Sequence, residues 1–153
     1  MADDLGAPRF GWWTSPFSAE AVAAGRISRG GLHADGEDLV WTENRPSEGG
    51  GQVVVRSGPD GTSRVISPAG VSVRSSVHEY GGGAALCVDG VVYYVDQDDQ
   101  GWYRFDPSSD RAPVALTDRP GGQSSFRRAG DGRLTHDRRW LVSVEEEGEQ
   151  SQT

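Results

Sequence analysis

Downstream of residue 26 the apolar positions of this chain fall into short runs of period two, broken by Gly, Asp and Pro. Alternation of that kind marks half-buried β-strands, and the breaks mark turns. The pattern predicts strands over Ile27–His33 and Asp38–Glu43, joined by a turn at Asp35-Gly36. It continues with strands over Gln52–Arg56 and Ser63–Ser67, after a break at Glu48–Gly51 and around a turn at Pro59-Asp60-Gly61. A second set follows: Ala84–Val88 and Val91–Asp96 around Asp89-Gly90, then Gly101–Asp106 and Pro113–Thr117. A third set opens with Gly132–Thr135, a turn at His136-Asp137 and a strand over Arg139–Glu145. One short helix is predicted upstream, from Ser18 as N-cap to Gly25 as stop.

The turn residues Asp35, Asp89 and Asp137 are 54 and 48 positions apart. A period of roughly 50 residues with four strands per unit is the mark of a β-propeller. The expected fold is therefore all-β: a partial β-propeller of two four-stranded antiparallel blades and about half of a third. The expected division is 1–25 as lead-in and helix, 26–70 and 71–120 as complete blades, and 121–153 as the incomplete one. The repeat also places Trp41, Tyr94 and Trp140 at matching positions, as inter-blade core. Rings close with four to eight blades, so the chain reads as a fragment with open blade edges, through which it would self-associate. The run from Glu145 reads as an acidic tail stopping where a further strand should begin.

Composition narrows the function classes. The chain has 153 residues, 22 Gly, 8 Pro and a formal net charge of −8. That charge argues against a nucleic-acid surface. All 15 basic residues are arginine. No apolar run approaches the ~20 residues of a membrane span, and Met1-Ala2-Asp3-Asp4 does not open a signal peptide. A single cysteine, Cys87, excludes an internal disulfide and fits a reducing, cytoplasmic compartment. Within an apolar strand it reads as an inert core residue.

The most unusual stretch is His78-Glu79-Tyr80-Gly81-Gly82-Gly83. A glycine run is costly in any ordered element, so it points to positive φ or to close approach of another chain segment. As adjacent strand residues, His78 and Glu79 would face opposite ways, which favours polar ties between blades over an acid–base pair. Asp96-Gln97-Asp98-Asp99 lacks the Gly and Glu of a calcium loop and reads as a solvated turn. Arg45 and Glu48 would pair across their loop. No metal or cofactor site is expected.

The HEYGGG stretch resembles the propeller signature of the prolyl oligopeptidase family of serine peptidases, closest to the dipeptidyl aminopeptidase and acylaminoacyl-peptidase branch. Gly11-Trp12-Trp13-Thr14-Ser15-Pro16, the run Trp41-Thr42-Glu43-Asn44-Arg45-Pro46-Ser47-Glu48-Gly49-Gly50, and Asp99-Gln100 ahead of Trp102-Tyr103-Arg104 extend the resemblance over roughly residues 10–145. Two departures stand out. Gly51-Gln52 replaces an expected arginine, and Val144-Glu145-Glu146-Glu147-Gly148 lacks the histidine of a V-x-E-x-H run. The resemblance implies the N-terminal propeller portion of a serine exopeptidase, in which the propeller caps a hydrolase domain and gates entry of short peptides. In that family His78 to Gly83 would be structural, and peptide substrate would be met only by the full-length enzyme.

The chemistry of hydrolysis is missing from the chain itself. The family's nucleophile sits on a G-x-S-x-G elbow, whereas Gly122-Gln123-Ser124-Ser125-Phe126 has Phe at the second Gly position. His33, His78 and His136 are isolated from one another in sequence. No catalytic residue is expected, and the alternative function is a stand-alone propeller-like binding or scaffold protein.

Overall fold

The computed structural model describes residues 15–23, 25–118 and 125–149. The aromatic stretch Gly11–Thr14 and the serine of Gly122–Ser124 lie outside them. Helix α1 spans Ala19–Ala23, with the Ser18 hydroxyl accepting from Ala21 N–H at 3.0 Å, as an N-cap should. Gly25 follows at φ 67°.

Two antiparallel sheets then repeat one topology. The first has the order β1 (Ser28–Asp35), β2 (Asp38–Arg45), β3 (Gly51–Ser57), β4 (Ser63–Val65). The second has β5 (Ala85–Val88), β6 (Val91–Val95), β7 (Trp102–Phe105), β8 (Val114–Ala115). A two-stranded sheet of β9 (Ser125–Leu134) and β10 (Leu141–Glu149) completes the described residues. The fold is thus nearly all β, with antiparallel sheets and one short helix.

Period-two alternation explains how the sheets stack. In the second sheet Cys87, Val92, Tyr94, Tyr103 and Phe105 face the first, meeting Val40, Val54, Ile66 and Val73. The alternate residues Leu86, Tyr93, Val95 and Trp102 face the third, meeting Ala129, Leu134 and Leu141. A middle blade buried on both faces reads as a continuous apolar run, which is why Val91–Val95 shows no polar position. The rings of Tyr94 and Tyr103 stack at 5.6 Å. Trp41 occupies the position in β2 that Tyr94 has in β6, turned away from the second sheet. Trp140 does not share it: it lies in the turn ahead of β10 and is 65% exposed.

The third sheet differs most from the sequence reading. Strand β9 begins at Ser125, not Gly132, and the acidic run is a strand rather than a tail. Glu146 lies opposite Arg128 and Glu147 opposite Arg127. Ion pairs join Arg127 to both Glu145 and Glu147, and Arg128 to Glu146. Cross-strand charge complementarity of this kind supports pairing that composition alone argues against.

Candidate functional site

The glycine-rich signature is a turn. Residues 77–80 reverse the chain, with His78 and Glu79 both left-handed at φ 55° and 64°, and β5 starts only at Ala85. The expectation of polar side chains tying two blades from a strand is corrected accordingly. His78, Glu79 and Tyr80 point to solvent, Tyr80 at 97% exposure. The tie runs through the backbone instead. His78 N–H donates to the Glu146 carboxylate at 2.9 Å, Gly83 N–H to Asp131 Oδ1 at 2.7 Å, and Asp131 N–H to Gly83 O at 2.8 Å. Just upstream, the buried Ser75 hydroxyl donates to Ala129 O at 2.6 Å.

These bonds press two backbones together, and the glycines make that possible. A Cβ on Gly82 would stand 2.7 Å from Asp131 Oδ2 and 2.8 Å from Val77 Cγ1. On Gly130, across the seam, it would stand 2.8 Å from the same Val77 methyl. Gly81 has φ 89°, open to glycine at little cost.

On its other side the loop forms one wall of a cleft of about 430 Å³ against the first blade. Ser28, Asn44 and Gln52 are cross-strand partners in β1, β2 and β3, and together they line the facing wall with Arg74 and Tyr80 opposite. The walls are fixed to each other: Val73 N–H donates to Gln52 O at 2.7 Å, and Gln52 N–H to the Ser72 hydroxyl at 3.1 Å. Arg29, at the edge, is held by Glu43, which also accepts from Trp41 Nε1 and Arg45. Hydrogen bonding from Trp41, then from the two arginines, holds the Glu43 carboxyl below its ordinary value despite its burial. Arg45 also reaches Glu48 at 3.3 Å.

The opposite ends of the blades meet turn to turn. The Asp35 carboxylate accepts from Asp89 N–H at 2.7 Å and Gly90 N–H at 2.8 Å. One blade further on, Asp89 is ion-paired with Arg138. Asp137, the third acid of the repeat, instead caps its own turn through Thr135 and Arg139 N–H. Between these ends a groove of about 580 Å³ runs along β1, β5 and β9.

His33, Asp35 and Cys87 converge near this groove, yet not as a nucleophilic site. His33 Nε2 accepts from Cys87 N–H at 2.9 Å and its Nδ1 donates to Gly31 O, so neither nitrogen is free to take the thiol proton. The thiol donates to Asp35 at 3.3 Å. Burial, with the Asp35 carboxylate adding to it, pushes Cys87 up to about 12, the wrong direction for a thiolate nucleophile. His78 and His136 lie elsewhere, in separate turns. Two of the three acids of Asp96–Asp99 are spent on their own turn: Asp96 accepts from Asp98 N–H, and Asp99 from Gly101 N–H and the Tyr103 hydroxyl. Among the described residues no cluster of His, Cys, Asp and Glu could hold a metal ion, and no helix is long and apolar enough to cross a membrane.

Stacked four-stranded antiparallel blades, joined face to face and turn to turn, define part of a β-propeller. No family model and no curated protein sequence matches the chain. Solved structures do. Puromycin hydrolase aligns with TM-score 0.70 and 28% identity over 84% of this chain. A puromycin-hydrolyzing peptidase of Mycobacterium tuberculosis aligns with TM-score 0.74 and 31% identity over 87%. A mutant of puromycin hydrolase complexed with PGG gives 0.71, 29% and 84%. In each case the chain covers 20% of the other's length. These neighbours are peptidases of the prolyl oligopeptidase family, and the likeness is to their propeller.

Proposed function

We propose that this chain is the N-terminal propeller portion of a serine exopeptidase of the prolyl oligopeptidase type, within the dipeptidyl aminopeptidase and acylaminoacyl-peptidase branch. In the whole enzyme the propeller would cap a hydrolase domain and admit only short peptides or aminoacyl amides. The observation that carries this reading is the 31% identity and TM-score of 0.74 with a puromycin-hydrolyzing peptidase. Puromycin joins an amino acid to a nucleoside through an amide, and its cleavage is exopeptidase chemistry. A free cysteine fits a cytoplasmic setting.

The test begins with the DNA on both sides of the coding region. Further blades of ~50 residues and a G-x-S-x-G elbow in a continuous reading frame are expected. The joined protein should then hydrolyse aminoacyl p-nitroanilides, while the 153-residue chain alone should not. A terminator followed by an unrelated gene, or serine-inhibitor-sensitive turnover by the chain alone, overturns the reading. The first of these outcomes favours a stand-alone scaffold.

A further inference from the structure

We infer that the cleft between the polar row of the first blade and the Arg74–Tyr80 segment is a binding site for a carboxylate carried on a short peptide. It does not depend on the peptidase reading, since binding is measured on this chain and hydrolysis is not.

Several hydrogen-bonding groups lining the cleft have no partner among the described residues, Arg74, Asn44 and Gln52 among them. The Arg74 guanidinium makes no ion pair or hydrogen bond there, although its backbone is anchored: Arg74 N–H donates to Val95 O at 3.1 Å and Arg74 O accepts from Gln100 at 3.2 Å. The Asn44 and Gln52 side-chain amides are likewise unengaged and half-buried. They are directly opposite one another in register, so they sit about 5 Å apart along the sheet. The remaining cations nearby are already committed, Arg29 and Arg45 to Glu43. Arg74 is therefore the group left to meet an anion.

The donor set selects the ligand. An arginine fork matches a carboxylate bidentately. A side-chain amide offers both a donor and an acceptor, which suits a peptide unit and is half wasted on an anion that only accepts. Tyr80, exposed at the rim, presents a planar face against which a peptide plane can lie. Gly30, Gly81 and Gly82 all line the cleft, so part of its wall is bare backbone. Because both walls are bonded to each other through Gln52, Ser72 and Val73, their backbones are in place before binding, and the cost that remains is ordering the exposed Arg74 side chain.

Calorimetry on the whole chain, with amide shifts to locate the site, tests this. The probes are trialanine, trialanine amide and acetyl-aspartyl amide, the last two separating a terminal carboxylate from a side-chain one. Trialanine is expected to bind saturably and to move the amides of Gln52, Arg74, Gly81 and Gly82. Removing its carboxylate, or Arg74→Ala, should weaken binding about tenfold or more, the usual loss for a charged hydrogen bond. Arg74→Lys should recover part of the loss, and Arg64→Ala, on exposed β4, should change nothing. Aspartyl amide binding as well as trialanine would assign the site to carboxylates generally. No saturation, shifts elsewhere, or equal affinity for trialanine and its amide overturns the inference.

Discussion

At Gly82 a single methyl group has nowhere to go. The Asp131 carboxylate that would have to yield is already bound to Gly83 N–H, and Val77 is buried. Gly82→Ala should therefore lower stability by about 1–3 kcal/mol, as overpacking does. The clean comparison is Gly51, whose φ is not left-handed and whose nearest added-Cβ neighbour, the Ser72 hydroxyl oxygen, is 4.0 Å away. Gly50 is a poor control because its φ of 76° makes any side chain strained. Gly51→Ala should be neutral or stabilising by about 0.5–1 kcal/mol, and paired denaturant midpoints decide the matter. Equal losses at both sites would mean the seam relaxes. A glycine run by itself signals a crowded place. It could not say that Asp131, from another sheet, was the neighbour. The cleft was less legible still, because Asn44 and Gln52 become a pair only once the β2–β3 register is set.

Glu43 gives the residue scale a pH signature. Its carboxyl titrates below the ordinary value near 4.5 in the folded chain, so its stabilisation is complete above that value. It is lost as pH falls through the lower, folded value. Glu43→Gln should cost about 1–3 kcal/mol at pH 7, from weakened charged hydrogen bonds. It should also flatten the fall in stability below pH ~5. Thermal melts of both proteins from pH 3 to 7 measure this, and an unchanged acid limb would show that other carboxylates control it.

At the scale of elements, hairpins with local signals were readable: Asp89-Gly90 between apolar runs marks its own turn, and Ser18 its own cap. Strand β9 was not. Gly130 and Gly132 weaken it as a local strand former, and both are required by contacts from far away, Val77 and Ser75 for one and the Trp102 ring for the other. The Arg127, Arg128 and Glu145–Glu147 charges make sense only as facing rows. The clamps between blades also differ in strength in a way the residue types alone do not reveal. Asp35 gathers two backbone N–H groups and a thiol, whereas the Arg138–Asp89 pair is solvent-exposed on both sides. Asp35→Ala should cost about 1.5–3 kcal/mol and Arg138→Ala no more than about 1 kcal/mol, by urea unfolding. A larger loss at Arg138 would reverse this ranking.

At the scale of the whole molecule, the outer edge of β10 has no strand beside it among the described residues, whereas β6 has β7. Val142 and Val144 on that strand, and Trp140 just before it, are exposed. We propose that a second copy of the chain pairs there, since an open apolar edge is a template for strand addition. Light scattering during size exclusion should give a mass above 16.4 kDa, and Val142→Lys should shift it towards the monomer. A compact monomer with a cooperative melt overturns this.

The turn-to-turn clamps have a direction. Asp35 reaches forward to residues 54 and 55 places later, and Asp89 reaches forward 49 places to Arg138. At each of these two joints the acid leaves the ribosome before the group it will hold. The acceptor of either joint is thus made before its donors, whereas at the glycine seam the Asp131 and Glu146 carboxylates are made after the N–H groups they hold.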